Sequence, residues 1–317
     1  MSPYLFRVAA AWSLAGAMLA GAPAQQQQQQ PAQAPPAPGQ LVDVGEGRLL
    51  HLYCTGAGSG PVVLYLNGLP RFSFHYSMLQ SGTAKLTKSC VYDRAGDTWS
   101  DAAPAGYTVD TMLADLDKIA SITSPSRPLV LVGHSFGGVL ARAYTKAHPS
   151  RVAAMVLIDS SHHNWTSFMV EGQRTRLSEM TPDQLNGLIN STRTNYRPPG
   201  GMAMVVPPFD KLSPAQQEVH LWGMRRLYSS SKADDVVLAL NTQWKLYSGL
   251  RETTFGDLPL VVISRPEPAP WVASQKDIAA LSTRGKLVVA PGSGHDIELD
   301  APQVVVEAIG ALLGQLK

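Results

Sequence analysis

A strand, a tight turn and a helix follow one another directly between Leu129 and Pro149, and this stretch constrains the fold more than any other. Four apolar residues, LVLV, predict a buried strand, GHSFG predicts the turn, and apolar residues spaced by three and four predict a helix that ends at Pro149. Ser135 stands in the turn between glycines that relieve crowding there. Its hydroxyl is expected above the sheet edge, beside the positive end of the helix. The stretch therefore predicts Ser135 as a nucleophile.

Short apolar runs alternate with helical patterns along most of the chain. The runs of strand length lie at 61–66, 90–92, 129–132, 154–158, 260–263 and 287–289, after a hairpin pattern at 41–53. Helical spacing marks 108–122 and 302–313. Strands that are apolar on both faces are typical of a mainly parallel sheet covered by helices on both sides. The sequence predicts an α/β fold.

The segment from about 160 to 256 breaks this alternation. It contains no strong strand run, several helical patches and a Pro-Pro-Gly-Gly stretch at 198–201. We interpret it as a mainly helical cap, inserted between the sixth and seventh strands of the sheet. Its aromatic and methionine side chains are candidates for the lining of a substrate pocket, or equally for the core of the cap itself. These are Trp165, Phe168, Met169, Trp222 and Met224.

The first forty residues are expected to lie outside the folded domain. An apolar run that follows Arg7 and ends in Ala22-Pro23-Ala24 predicts a signal peptide, residues 1–24, cleaved near Ala24. An uncleaved anchor is the alternative, but the run is shorter than a membrane span needs. Residues 25–40, which are rich in Gln and Pro, predict a disordered linker, so the domain would cover 41–317. We expect an exported protein, periplasmic or secreted, without stable membrane insertion. The net charge of +2 argues against a nucleic-acid partner.

A serine nucleophile needs a base and donors for the oxyanion. Among the eight histidines, His295 follows the last strand, in the loop PGSGHD, and is the predicted base. One oxyanion donor is expected to be the amide of Phe136, next to the nucleophile. The amide of Leu69, in the loop Asn67-Gly68-Leu69-Pro70 after the strand PVVLYL, is the expected second donor.

Together these motifs resemble the α/β-hydrolase superfamily from Leu41 to Lys317, in the order NGLP, YDRAG, GHSFG, cap and SGH. The resemblance implies the α/β-hydrolase fold, a catalytic triad and no cofactor. It leaves the triad acid open, because the expected loop after strand 260–263 offers Glu267 and no aspartate. Asp159, at the end of the strand after the nucleophile helix, is the preferred acid, since some members of the superfamily take their acid from that strand, and Glu267 is the alternative.

In the implied strand order the second and fourth strands are neighbours, so Cys54 and Cys90 are predicted to form a disulfide. No His or Cys cluster has metal-ligand spacing, so no metal is expected.

The leading hypothesis is an exported serine esterase that hydrolyses a small-molecule carboxylic ester through an acyl-enzyme on Ser135. An aminopeptidase or amidase on the same fold and a non-catalytic binding protein are the alternatives. Epoxide hydrolases and haloalkane dehalogenases resembling this fold use aspartate where Ser135 stands, which argues against both. The sequence does not define the acyl chain or the oligomeric state.

Overall fold

The computed structural model describes residues 34–104, 106–170, 172–195, 204–230 and 233–316. The predicted signal peptide and the first part of the predicted linker lie outside the described residues. Within these ranges, no helix has the length and apolar character required to cross a bilayer.

One sheet of eight strands forms the centre of the molecule, and its spatial order is β1-β2-β4-β3-β5-β6-β9-β10. Antiparallel pairing joins β1 to β2 and β2 to β4, and the other neighbours are parallel. The predicted mainly parallel sheet is therefore confirmed. Its strands are β1 (Gln40–Asp43), β2 (Leu49–Thr55), β3 (Val63–Leu66), β4 (Ser89–Tyr92), β5 (Leu129–His134), β6 (Val152–Ile158), β9 (Leu260–Ser264) and β10 (Gly285–Val289).

Helices cover both faces of this sheet, which explains why the strands are apolar without interruption. Side chains on one face, such as Leu131, join a core cluster with Leu116 and Leu140 of two neighbouring helices. Those on the other face, such as Val130, pack with Ile309 of the last helix. The helices outside the cap are α1 (Ser77–Thr83), α2 (Val109–Thr123), α3 (Phe136–Ala147), α7 (Ala269–Ala279), α8 (Ile297–Asp300) and α9 (Pro302–Gln315).

In the described residues between β6 and β9, the structure shows a small hairpin followed by three α-helices. The elements of this insertion are β7 (Ser167–Val170), β8 (Gln173–Arg176), α4 (Pro182–Asn195), α5 (Pro214–Ser230) and α6 (Ala233–Leu250). The mainly helical character agrees with the sequence pattern. The antiparallel β7–β8 pair was not expected, because only Phe168, Met169 and Val170 form an apolar run there and four-residue strands carry little periodic signal.

Residues before Leu41 already contact the domain. Trp99 Nε1 donates a hydrogen bond to the Pro35 carbonyl oxygen at 2.8 Å, and His51 Nε2 contacts the carbonyl oxygen of Pro38. The end of the predicted linker is therefore held by two ring N–H groups. Proline favours this outcome, because its restricted backbone loses little entropy when it is fixed.

A disulfide joins Cys54 of β2 to Cys90 of β4, with the two Cα atoms 4.1 Å apart. The two residues are direct partners in the antiparallel pairing of these strands. The bond closes a loop of 36 residues, which limits the freedom of the unfolded chain.

Replacing both cysteines with serine is expected to lower the free energy of unfolding by about 4 kcal/mol, from the loop-entropy relation. Chemical denaturation of the oxidised protein and of the double variant measures this difference. The denatured, unreduced wild type should contain no free thiol when titrated with a thiol reagent. Two titratable thiols per chain would contradict the prediction.

Candidate active site

Ser135 lies at a strained turn between β5 and α3. Its φ of 51° and ψ of −116° are unfavourable for a residue with a side chain, and such strain is typical of a nucleophile turn. The turn lies so close to the end of β3 that a Cβ on Gly137 would overlap the carbonyl oxygen of Leu66. Helix α3 begins at Phe136, so the first N–H groups of the helix point toward the space above Ser135. A developing negative charge at this place is stabilised by the helix dipole.

Asp159 follows β6, the strand beside β5, and its Oδ2 lies 2.6 Å from Nδ1 of His295. The carboxylate is completely buried. Its other oxygen, Oδ1, accepts hydrogen bonds from Nε1 of Trp271 at 2.6 Å and from the backbone N–H of Arg265 at 3.1 Å. Both oxygens therefore have fixed partners. The carboxylate orients the His295 ring with Nδ1–H toward Asp159 and leaves Nε2 as the acceptor.

The structure pairs His295 with Asp159, and Glu267 lies exposed in the loop after β9. That loop still contributes to the site through Arg265 and, further on, Trp271. The Arg265 guanidinium lies 4.4 Å from the centre of the Trp271 ring. Arg265 and Trp271 thus hold the Asp159 carboxylate in place. They do so from the region after β9, where the sequence pattern suggested Glu267 as an alternative acid. Sequence reasoning missed both, because their roles depend on which strand supplies the acid.

The loop after β3 is anchored by a buried arginine. Arg94 donates to the carbonyl oxygens of Asn67 and Gly68, the second at 2.8 Å, and the Asn67 side chain donates to the Tyr92 carbonyl at 2.8 Å. Arg94 is buried and paired with Asp97 at 3.1 Å. The YDRAG motif thus fixes the shape of this loop from beneath.

The anchored loop lies directly against the nucleophile turn. A Cβ on Gly68 would stand 3.2 Å from the Cβ of Ser135 and closer still to the His134 ring, so only glycine fits. The backbone N–H of Leu69 makes no hydrogen bond within the described part of the chain. The N–H of Phe136 opens α3 and has no partner in the preceding turn of helix. Both predicted oxyanion donors are thus free to bind a ligand oxygen.

A pocket of about 170 Å³ opens beside Leu69 and Phe136. Its apolar wall includes Met112 of α2, and Ala239 of α6 closes it from the cap side. Its other lining residues are Arg94, Ala95, Asp97, Ala103, Tyr107, Thr242 and Gln243. The volume is below the range of pockets that hold drug-sized ligands. The space fits a small, mostly apolar group.

The five predicted pocket residues are spread over the cap rather than gathered around this pocket, and none of them lines it. Trp165 contacts Trp271, the residue that donates a hydrogen bond to Asp159. The two rings meet edge-on, with their centres 4.8 Å apart. Phe168 packs against the main core, and Met169 is 63% exposed on the β7–β8 hairpin.

The other two predicted residues pack against the segment between β3 and α2. Trp222 contacts Trp99, with ring centres 5.9 Å apart, and Met224 packs into a cluster with Phe72 and Phe74. Phe168, Trp222 and Met224 therefore join the cap to the rest of the domain.

Polar groups also gather behind His295. His134 Nε2 lies 2.9 Å from the carbonyl oxygen of His295. His134, Asp296 and Glu298 place ligand-type atoms within 4.8 Å of one another, although sequence spacing had predicted no metal site. Arg71 already pairs with Asp296 at 2.6 Å and supplies the opposite charge there. Sequence spacing could not indicate this cluster, because His134 is more than 160 positions from Asp296 and Glu298 in the chain.

Comparison with known proteins agrees with this architecture. Residues 61–302 match the sequence profile of the α/β hydrolase fold family, and this range covers six of the eight strands of the sheet, the nucleophile turn, the cap and the His295 loop. The chain belongs to the α/β-hydrolase fold family. The predicted α/β-hydrolase fold is thereby confirmed.

Individual relatives are distant. The chain is 26% identical over 112 residues to a cis-3-alkyl-4-alkyloxetan-2-one decarboxylase of Shewanella oneidensis, covering 34% of this chain and 35% of that protein. It spans less than half the length of the curated relatives it matches. Among solved structures, a thermophilic esterase from Thermogutta terrifontis has a TM-score of 0.65 at 20% identity, covering 87% of this chain and 99% of that one. Potato epoxide hydrolase I has a TM-score of 0.61 at 16% identity, covering 87% and 98%. At these identities the structural likeness concerns the fold alone.

Proposed function

We propose that this protein is a serine hydrolase that cleaves small carboxylic esters. Ser135 Oγ attacks the ester carbonyl while His295 Nε2 takes its proton, and Asp159 stabilises the imidazolium that forms. The amides of Leu69 and Phe136 bind the oxyanion. His295 returns the proton to the departing alcohol, and the same groups then direct water at the acyl-enzyme. The mechanism requires no cofactor.

The single observation that carries this proposal is the contact of 2.6 Å between Asp159 Oδ2 and His295 Nδ1, on the same edge as the strained Ser135 turn. A buried carboxylate that is also held by Trp271 and Arg265 is preorganised to orient the base. A binding protein without catalysis has no requirement for this pairing. The serine at position 135 argues against epoxide hydrolysis, which uses aspartate at this place in proteins that resemble this fold.

The pocket beside Leu69 and Phe136 supports a preference for short acyl groups. It borders Leu69 and Phe136, whose amides are the proposed oxyanion donors, and Phe136 is the neighbour of Ser135 in the chain. Its 170 Å³ leave little room for a long chain.

We further propose that the protein is exported after cleavage near Ala24. The Cys54–Cys90 disulfide supports export, because disulfides persist in oxidising compartments.

A fluorophosphonate probe and a panel of nitrophenyl esters of rising chain length test the proposal. The probe should label the wild type at Ser135, as located by mass spectrometry of the labelled peptide. The kcat/KM values should peak at short acyl chains. A matched panel of anilides separates an esterase from an amidase. Absence of labelling in folded protein would favour a binding protein.

A further inference from the structure

A glutamate without a partner is buried behind the proposed catalytic histidine. Glu298 is completely buried on α8, and neither of its carboxyl oxygens accepts or donates a hydrogen bond among the residues that the structure describes. Nδ1 of His134 lies 3.6 Å from Oε1 of Glu298. That nitrogen is also buried and lacks a hydrogen bond in the same described ranges. Two orphaned polar atoms thus face each other, which is costly unless they share a proton.

The opposite side of the His134 ring shows which nitrogen carries hydrogen. Nε2 lies 2.9 Å from the carbonyl oxygen of His295, and a carbonyl oxygen only accepts, so Nε2 carries a hydrogen and donates it. Burial holds the pKa of His134 well below its usual range, so the ring is neutral and Nδ1 carries a lone pair. That lone pair is aimed at Glu298. The complementary partner for it is an O–H group.

We propose that Glu298 is a positioning residue: its carboxyl group keeps its proton, donates it to His134 Nδ1, and through His134 Nε2–H holds the main chain of His295 in place. The inference rests on the proposed function, since it assigns Glu298 a task for the same reaction. Formation of this hydrogen bond requires Glu298 Oε1 and His134 Nδ1 to approach from 3.6 Å to about 3 Å. The rings of His134 and His295 are in contact, with centres 4.7 Å apart, so a displaced His134 also displaces the base.

The charges around Glu298 favour the protonated acid. Burial is the largest cause that raises the pKa of Glu298 far above its ordinary value, and the carboxylates of Asp296 and Asp159 act in the same direction. Arg71 and the backbone N–H of Glu298 itself act in the opposite direction, but the Arg71 guanidinium already pairs with Asp296 at 2.6 Å. The Tyr76 hydroxyl, whose pKa is itself raised by burial, contributes no charge.

Loss of the Glu298 proton would change which nitrogen of the His134 ring carries the hydrogen. An ionised carboxylate favours a hydrogen on Nδ1 of His134, and in a neutral ring that hydrogen is taken from Nε2. Nε2 and the His295 carbonyl oxygen would then face each other as two acceptors. The support of the His295 loop is therefore expected to fail at alkaline pH.

Two substitutions of similar size separate this role from simple filling of space. Glu298→Gln keeps an N–H donor for His134 Nδ1, and its kcat should stay within about threefold of wild type. Glu298→Met fills the space without a donor, and its kcat should fall by about 30-fold with little change in KM, since a small misplacement of a catalytic group has effects of this order. The wild type should lose activity at alkaline pH, and Glu298→Gln should lack this decline. Equal kcat values for the Gln and Met variants would overturn the proposal, whether both are active or both impaired.

Unfolding provides a readout that does not require activity. The folded pKa of Glu298 is raised, so between the ordinary glutamate pKa and the folded value the native state holds a proton that the unfolded chain has released. The wild type therefore loses stability as pH rises through that window, and the Tm advantage of Glu298→Gln should grow from pH 5 to pH 8. Glu307→Gln, on the exposed surface of α9, serves as the control and should show no such trend.

Two further outcomes separate the alternatives. A rise in the Tm of the wild type with added Zn²⁺, reversed by a chelator and absent in Glu298→Gln, would overturn the proposal in favour of a metal at His134, Asp296 and Glu298. If the folded wild type is not labelled at Ser135, the proposed function fails. The Tm series then still decides whether Glu298 holds its proton.

Discussion

Replacing Ser135 with alanine is expected to lower the kcat for short-chain nitrophenyl esters by about 10⁴-fold or more. The proposed mechanism transfers the acyl group to Ser135 Oγ, the only hydroxyl side chain within the GHSFG turn itself. The Leu69 and Phe136 amides remain in the variant, so weak substrate binding and a small residual rate are expected to persist. The measurement is kcat on purified protein, with fluorophosphonate labelling as the parallel readout.

The stability of Ser135→Ala should change little. Alanine at this position keeps the Cβ that meets Gly68, and the change removes only the hydroxyl. Ser191→Ala, on the exposed face of α4, is the matched control and should retain full activity. Residual activity of the Ser135→Ala variant within tenfold of wild type would rule out the proposed nucleophile.

Asp159→Asn is expected to lower kcat by about 10⁴-fold, the order found when a triad acid is made neutral. The structure gives a specific reason. Oδ1 of Asp159 accepts two N–H groups, from Trp271 and Arg265, so the oxygen of an asparagine is expected to stay at that position. Its NH₂ group then faces His295 Nδ1 and donates to it. His295 would carry its hydrogen on Nε2, toward Ser135, and could not accept the serine proton.

Glu267→Gln provides the matched control, since it makes the same change of charge in the loop after β9. Glu267 is exposed, so this variant should keep kcat within about twofold of wild type. Circular dichroism and Tm values should establish that both variants are folded. A severe loss in Glu267→Gln together with a mild one in Asp159→Asn would transfer the acid to Glu267.

The parts of the fold that sequence could predict are those where the local pattern and the tertiary environment agree. The strand at 129–132 and the helix after GHSFG are continuous in sequence, and each shows a clear period of its own. Ser135 and His295 could be located in the same way, because the positions of both depend on motifs next to a strand end. The Cys54–Cys90 pair required the strand order, which the family resemblance supplied.

The cap could not be predicted to the same depth. Trp222 and Met224 are large and apolar, as pocket residues often are, yet they pack against Trp99 and Phe72. Their partners are more than a hundred positions away, and periodicity within one helix does not reveal which domain surface that helix will cover. The pocket beside Phe136 is instead completed by Ala239, a small residue that gives no signal in a sequence.

Buried polar groups define a second limit. Trp271 and Glu298 resemble ordinary helix residues in the sequence, and their contacts with Asp159 and His134 follow from the close approach of four separate segments. A tryptophan N–H or a carboxyl group is expected to find some partner when buried, but the identity of that partner is a tertiary property.

The position of β10 at the edge of the sheet means that the catalytic groups proposed here are not held with equal firmness. Ser135 and Asp159 follow β5 and β6, which are adjacent strands in the interior of the sheet. Among the described strands β10 pairs with β9 alone, and its residues are partly exposed. Edge elements with few buried contacts open at lower free energy than the centre of a fold. Transient detachment of β10 would withdraw His295 while the nucleophile and the acid stay in position. The proposed activity would then be lost reversibly before the protein unfolds, so the thermal stability of the activity and that of the fold are expected to differ.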